Sequence, residues 1–245
     1  MGYLDEVVDI SELGQRKLVV LYGKSNSGKT EVGSTFPKPM LYIQVGDDGS
    51  NTISYKEGIK AIRANNCDML KSILTELIGK KKTGYASIFC DTFSTLTNIW
   101  VDENVVKKKK KMTQQAWGDL KVETEELIRM FHQLADKHWI ILSCHEANDT
   151  LEGMDEEILP DIRPSTTKGA RTYLEAMANY GIHTTRLQKN VIEDGVEKTL
   201  VKYAAHIGPN NYYWTKLQIP KTIKVPQMIV NPSFDKLQKI INGGN

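Results

Sequence analysis

One stretch of the chain, residues 23–30, carries glycines, a lysine and a threonine at the spacing of a phosphate-binding loop. It reads G-x-x-x-x-G-K-T and consists of Gly23, Lys24, Ser25, Asn26, Ser27, Gly28, Lys29 and Thr30. Glycine lets the backbone curl so that its N–H groups face phosphate oxygens. In such a loop Lys29 reaches the β- and γ-phosphates, and the Thr30 hydroxyl binds Mg²⁺. The stretch therefore predicts binding of a nucleoside triphosphate together with Mg²⁺.

Polar side chains also follow other apolar runs, where strands are expected to end. Asp91 ends the run 85–91 and is the candidate second Mg²⁺ ligand, although a helix-capping aspartate would look the same. Asp47 and Asp48 follow the run 40–45, where one of them could activate the attacking water; an ordinary Asp-Asp-Gly turn is the alternative. His145, after the run 139–144, could sense the γ-phosphate, or it could belong to a solvated pair with Glu146.

The helices and strands that must position these groups are predicted from hydrophobic periodicity and from residues that end helices and strands. Residues 17–22 form the strand before the loop, and Pro37 and Pro39 limit the next helix to about Phe36. The remaining predictions are strands at 40–45, 85–91, 139–144 and 212–219, helices at 67–78, 92–106, 115–137, 166–180 and 233–241, a long loop at 147–165, and a hairpin of 182–188 and 199–204 around the Asp-Gly at 194–195.

This order predicts an α/β fold with a mostly parallel sheet flanked by helices and with antiparallel strands on the C-terminal side. We expect a lead-in at residues 1–16 and one domain over 17–245. Within that domain, residues 17–180 are expected to form the nucleotide-binding core, and residues 181–245 an antiparallel extension with a final helix.

Composition narrows the class of protein. The 245 residues are 40% hydrophobic and carry a formal net charge of +2, so any attraction to nucleic acid must be local. Cys67, Cys90 and Cys144 have no C-x-x-C spacing, which favours buried thiols in a reducing compartment. No signal-peptide pattern and no apolar run of membrane-spanning length occurs. A cytoplasmic protein without membrane contact is expected.

Taken together, the motifs resemble the RecA-like ATPase core, and more narrowly the phage single-strand annealing proteins of minimal RecA-core type. The similar stretches are residues 23–30, 41–49, 88–92, 116–119, 140–146, 213–216 and 229–232. The resemblance implies ATP and Mg²⁺ as cofactors and a slow DNA-dependent ATPase. It also puts Asp91 at the Walker B position, Asp47 or Asp48 at the catalytic glutamate and His145 at the γ-phosphate sensor. Lys216 would act in trans on a neighbour in a ring or filament.

The same resemblance implies single-stranded DNA as a partner and a role in annealing and recombination. A single-strand-binding protein or an exonuclease is a further partner of this type. The candidate DNA contacts are Lys107, Lys108, Lys109, Lys110, Lys111, Arg163, Lys168 and Arg171. Consecutive lysines bind phosphates without reading sequence, but a solvated loop that aids solubility is the other interpretation of the lysine run.

Two other functions also fit the loop. A small-molecule or nucleoside kinase needs a P-loop as well, and Arg163 and Arg171 could belong to a lid that closes over phosphate. A nucleotide switch that recruits replication or repair proteins without hydrolysis is the third possibility. The guanine-reading N-K-x-D motif and the dinucleotide motif G-x-G-x-x-G are absent from the sequence.

Overall fold

The structure is a computed structural model and describes residues 7, 9, 15–46, 50–152, 158–193 and 196–244. Eleven strands lie in this part of the chain: β1 Leu18–Tyr22, β2 Met40–Val45, β3 Ile59–Ala64, β4 Ser87–Asp91, β5 Trp139–Cys144, β6 Glu146–Glu152, β7 Ile158–Pro164, β8 Tyr180–Glu193, β9 Val196–His206, β10 Lys216–Leu217 and β11 Met228–Val230. The α-helices there are α1 Lys29–Gly33, α2 Cys67–Gly79, α3 Thr95–Val101, α4 Gln114–Leu134, α5 Lys168–Met177 and α6 Phe234–Ile241.

The main sheet has the strand order β11-β9-β8-β1-β5-β4-β2-β3. The pairs from β8 across to β3 are parallel, and β9, β10 and β11 pair antiparallel at the β8 side. The predicted fold class is therefore confirmed. The boundary predicted near residue 180 falls at the start of β8, which still pairs with β1 in the parallel part of the sheet.

The core forms on both faces of this sheet. All five residues of β1 are fully buried, and they alternate between two apolar clusters. One cluster includes side chains of α2, α3, α4 and α5, and the other includes side chains of α1 and α6. A parallel strand covered on both faces is expected to be apolar throughout.

The three cysteines are buried and unpaired, as predicted. Burial raises the pKa of the Cys67 and Cys144 thiols to about 12, so they are protonated and unreactive near neutral pH.

Two sequence predictions about elements are wrong, and one strand was not predicted. The described part of the loop predicted at 147–165 is mostly strand, because β6 and β7 pair antiparallel as a separate two-stranded sheet. Two prolines in β7 suggested a loop, but a two-stranded ribbon has open edges where a missing N–H is tolerated. Strand β3 was not predicted, because its residues Ile59–Ala64 are mostly exposed at the sheet edge and lack a clear alternation. Of the strand predicted at 212–219, only Lys216–Leu217 forms.

Predicted helix bounds also shift. The helix predicted at 92–106 is α3, which continues as a π-helical segment, Asp102–Val106. The helix predicted at 166–180 ends at Met177, because Tyr180 already belongs to β8. Within the described residues, no helix is both long enough and apolar enough to cross a bilayer.

Candidate nucleotide-binding site

The P-loop leaves β1 at the carboxyl edge of the parallel sheet. Tyr22 is in register with Cys144, the last residue of β5, and with His183 of β8, so the loop begins between the end of β5 and the continuing strand β8. A Cβ on Gly23 would lie 2.3 Å from the carbonyl oxygen of Thr184, so only glycine fits there. The loop is thus seated against β8 by close backbone contact.

The side chain of Lys29 hydrogen-bonds to the backbone of its own loop. Lys29 is 7% exposed, and its Nζ donates to the carbonyl oxygens of Gly23 at 2.9 Å and Lys24 at 2.8 Å. Gly28 has φ +92°, which a side chain rarely adopts, and it comes directly before α1. Ser27 Oγ lies 2.7 Å from Thr184 Oγ1, which ties the loop to β8 a second time.

Asp91 lies beside the loop at the end of β4, as predicted. Its carboxylate is 1% exposed and accepts hydrogen bonds from Thr30 Oγ1 at 2.7 Å, Tyr42 OH at 3.0 Å and Thr92 Oγ1 at 3.0 Å. Ser143 Oγ of β5 donates to it as well. Four hydroxyl donors fix the carboxylate next to Thr30.

The donor set suits Mg²⁺. Thr30 Oγ1 and Asp91 Oδ2 are hard oxygen donors that lie together at the wall of a cavity of about 650 Å³. Mg²⁺ is commonly held by one or two protein oxygens plus substrate phosphates and water, so no larger carboxylate cluster is required. Thr30 and Asp91 would hold the ion, which would neutralise phosphate charge.

The cavity extends along residues 25–30 of the P-loop. It is lined by Ser25, Asn26, Ser27, Gly28, Lys29, Thr30, Glu31, Asn51, Thr52, Asp91, Thr92, His145, Arg186 and Tyr203. His145 therefore borders this cavity, which we call the phosphate cavity, and its role as a γ-phosphate sensor stays a prediction. Asp47 and Asp48 lie outside the described residues, and their catalytic role stays a prediction.

A buried pair lies on the other side of the loop tip. Glu146 Oε2 is 2.9 Å from His183 Nε2, and Lys24 Nζ lies 4.0 Å from Glu146 Oε1. Burial lowers the pKa of His183 in spite of Glu146, so the ring is neutral near neutral pH and donates to the carboxylate. Tyr213 stacks on His183 with a centroid distance of 3.9 Å.

The basic residues predicted to contact DNA fall into two groups. The side chains of residues 107–111 are exposed, with Lys107 bound to Asp102 and Lys108 to Asn104. Lys168 is exposed at the first turn of α5. By contrast, the structure does not leave Arg163 and Arg171 open to a ligand.

These two arginines are occupied within the chain. Arg163 binds Asp161 at 2.5 Å and Glu175 at 2.8 Å, and Arg171 is 9% exposed and pairs with Asp149. Neither lines the phosphate cavity, so neither occupies the lid position that a kinase would need. Removing either guanidinium from its carboxylates would leave those charges unpaired.

Lys216 also has partners in its own subunit. Its Nζ donates to the carbonyl oxygens of Glu175 at 2.9 Å and Ala176 at 3.0 Å, near the end of α5. Burial lowers the pKa of Lys216. An action on a neighbour's phosphate would require these hydrogen bonds to break.

Sequence reasoning missed Tyr42, Ser143, Arg186 and Tyr203. Ser143 is a polar residue within an apolar strand, and that contrast is a usable signal. Arg186 and Tyr203 gave no signal, because they reach the site only through the register of β8 and β9.

Comparison with known proteins places the chain in a protein family. Residues 15–202 match the family described as the AAA domain. No curated protein sequence matches the chain. A solved structure that is similar is the crystal structure of the RadB recombinase, with 12% sequence identity, coverage of 79% of this chain and 81% of that chain, and a TM-score of 0.47. Because the AAA-domain match spans most of the chain, including the P-loop and Asp91, the protein belongs to the AAA-domain family of P-loop proteins.

Proposed function

We propose that the protein is an ATP-binding, slowly hydrolysing RecA-like ATPase that binds single-stranded DNA and promotes annealing in recombination, as phage proteins of this type do. The observation that carries the proposal is the position of His145. It lines the phosphate cavity and also a second groove, so nucleotide at the P-loop and a ligand in the groove would meet at one side chain.

The nucleotide half of the proposal rests on Lys29, Thr30 and Asp91. A buried lysine at the loop and a hydroxyl–carboxylate pair beside it supply the charge and the oxygen ligands that a magnesium triphosphate needs. We propose ATP as the nucleotide, with either Asp47 or Asp48 acting on the attacking water.

The second groove has features that suit a nucleic-acid strand. It has a volume of about 640 Å³ and is lined by Ser94, Thr95, Thr97, Asn98, Trp117, His145, Ser165, Thr166, Thr167 and Lys168. Trp117 is 50% exposed, and an exposed indole can stack on a base without reading its identity. Lys168 and the backbone N–H groups at the start of α5 are suited to phosphate.

Hydrogen bonds of His145, Ser94 and Ser165 connect the groove with the phosphate cavity. Ser94 Oγ accepts from the His145 amide at 2.9 Å and donates to the Ser165 carbonyl at 2.6 Å, and the Ser165 amide donates to the His145 carbonyl at 2.8 Å. A shift of His145 would therefore be passed to the segment before α5. This connection suits DNA binding that depends on the nucleotide.

We further propose that subunits assemble into a ring or filament in which a neighbour completes the site, with Lys216 as one candidate from that neighbour. A single-strand-binding protein or an exonuclease is the proposed partner in recombination. The size of the particle, measured by light scattering with and without an ATP analogue and single-stranded DNA, tests the assembly; a monomer under all conditions would contradict it.

The function as a whole is tested by ATP turnover in the presence of DNA. We expect single-stranded DNA to stimulate turnover, because His145 lines both the phosphate cavity and the second groove. Stimulation by a small phosphate acceptor and not by DNA would favour a kinase. Tight DNA binding that depends on ATP but occurs without turnover would favour the nucleotide switch.

Replacing Trp117 with alanine is expected to weaken binding of single-stranded DNA about tenfold. Stacking of one base on an aromatic ring contributes about 1–3 kcal/mol. Fluorescence anisotropy of a labelled oligonucleotide, with an ATP analogue present, measures the change. The control is Val122→Ala, which removes another exposed apolar side chain from α4. Equal affinity of the Trp117 variant and the unchanged protein would exclude the groove as the DNA site.

Replacing residues 107–111 with alanine is expected to flatten the salt dependence of DNA binding. Each lost contact with a single-strand phosphate lowers the slope of log K against log salt by about 0.7. Alanine at Lys80, Lys81 and Lys82 is the matched control, because these lysines form another exposed basic run, between α2 and β4. A slope that does not change would remove residues 107–111 from the DNA site.

A further inference from the structure

Strands β8 and β9 continue past the end of the parallel sheet. β8 pairs with β1 only as far as His183, whereas its pairing with β9 extends to Glu193 and Val196. Residues 184–193 and 196–205 therefore form a two-stranded ribbon. It projects from the carboxyl ends of the parallel strands, where the P-loop begins. We call this segment the β8–β9 ribbon.

One face of the β8–β9 ribbon is directed at the P-loop. Arg186 and Tyr203 are opposite each other in the antiparallel register, so their side chains share a face. Both line the phosphate cavity. A Cβ built on Gly28 would lie 3.0 Å from Cδ1 of Tyr203, which means that the tyrosine ring packs directly on the loop.

Arg186 is available to a ligand at this position. Its side chain is exposed, and with the Gln188 amide turned to accept, Arg186 donates to it from Nη2 at 2.8 Å and Nε at 3.2 Å. In the part of the chain that the structure describes, no carboxylate forms an ion pair with Arg186. It therefore differs from Arg163 and Arg171, whose charges are already balanced.

The position of Arg186 along the P-loop indicates which phosphate it would contact, the terminal one. Lys29 Nζ, the group that takes the β- and γ-phosphates in a P-loop, lies on the carbonyls of Gly23 and Lys24. Arg186 lines the phosphate cavity and also a neighbouring cavity of about 310 Å³ that is bordered by Lys24 and Ser25. It is therefore on the side of the loop where the terminal phosphate is expected.

We propose that Arg186 binds the terminal phosphate of a triphosphate in its own subunit, and that Tyr203 holds the β8–β9 ribbon on the P-loop for that contact; this rests on the proposed function as a nucleotide-binding protein. A guanidinium offers paired donors to phosphate oxygens, which an exposed lysine does not reproduce. The contact makes the site selective for a nucleoside triphosphate over the diphosphate.

The test compares Arg186→Ala with Lys189→Ala, a cation on the same strand but on the opposite face of the ribbon. Affinities for a non-hydrolysable ATP analogue and for ADP are measured by calorimetry. Arg186→Ala is expected to weaken analogue binding at least tenfold and ADP binding less than threefold, while Lys189→Ala changes neither. No loss, or an equal loss for both nucleotides, would overturn the inference.

The same measurements separate this inference from the proposed function. If the unchanged protein bound neither nucleotide, both the proposed function and this inference would be wrong. If it bound both and only the Arg186 result failed, the proposed function would stand. Tyr203→Phe should keep the preference for the analogue, and Tyr203→Ala should lose it, because the ring positions the ribbon.

A mixing experiment tests whether Arg186 acts within its own subunit. Lys29→Ala protein keeps Arg186 but is expected to bind nucleotide at least about 100-fold more weakly, and Arg186→Ala protein keeps the P-loop. If Arg186 acts in its own subunit, a mixture of the two binds the analogue no better than the Arg186→Ala protein alone. Recovery of affinity in the mixture would overturn this assignment and indicate action between subunits.

Discussion

Replacing Lys29 with alanine is expected to weaken nucleotide binding at least about 100-fold, which is about 2.8 kcal/mol. The ammonium is buried against the carbonyls of Gly23 and Lys24, where a phosphate can take over its hydrogen bonds. Hydrogen bonds from a charged donor contribute about 1.5–3 kcal/mol each, so the loss of two accounts for this effect. Calorimetry with an ATP analogue and Mg²⁺ measures it.

The control for this variant is Lys60→Ala, an exposed lysine on the edge strand β3. It should bind the analogue as the unchanged protein does. The melting temperature of both variants checks that the fold persists. Retained affinity in a folded Lys29→Ala protein would contradict the assignment of residues 23–30 as the nucleotide site.

Replacing Asp91 with alanine is expected to lower both Mg²⁺-dependent turnover and the free energy of unfolding. Its carboxylate accepts hydrogen bonds from four hydroxyl groups, and three of their residues, Tyr42, Thr92 and Ser143, are at most 3% exposed. A buried donor left without a partner costs about 1–3 kcal/mol, and hydroxyl groups can partly reorient. We expect a loss of about 2–4 kcal/mol from urea denaturation, and a fall in turnover of about 100-fold.

Asp91→Asn separates the two effects. It keeps one acceptor oxygen and the shape of the side chain but removes the charge that Mg²⁺ requires. Its turnover should fall almost as far as in Asp91→Ala, with a smaller loss of stability. Glu57→Ala, which removes an exposed carboxylate, is the control for both measurements. Full turnover in Asp91→Asn would show that the carboxylate acts only in the fold.

The parts of the fold that sequence predicted well are those with strong local patterns. β2 and β5 have the predicted bounds, and β1, β4 and α2 differ by at most two residues, because long apolar runs and periodic faces bounded by Gly, Pro or Asn specify an element locally. The hairpin of β6 and β7 was missed, since its residues are polar and contain prolines. Its strands pair with each other, and Ile162 also packs on the core and hydrogen-bonds to Tyr212 and Trp214, contacts that no local pattern reveals.

The basic residues show the same difference between local and tertiary information. The sequence gives the charge of each side chain, but it does not show whether a carboxylate lies within hydrogen-bonding distance. Arg163 and Arg171 look as available as Lys168 in the sequence, yet folding places them against Asp161, Glu175 and Asp149. Asp161 lies two residues from Arg163 on the same strand, whereas Glu175 and Asp149 lie on different elements from the arginines that they bind. These last two ion pairs are therefore properties of the tertiary structure.

The sequence by itself determined the chemistry of the P-loop, with Lys29 and Thr30 at fixed spacing, and the end of a strand at Asp91. Backbone curvature and side-chain type within eight consecutive residues are local properties. Only the tertiary structure decided that Tyr42 and Ser143 hold Asp91, that His145 borders both cavities, and that Arg186 and Tyr203 cover the loop. The reason is that sheet order and strand register join residues that are distant in the chain, from 49 positions for Tyr42 and Asp91 to more than 150 for Gly28 and Tyr203, and no local pattern encodes that register.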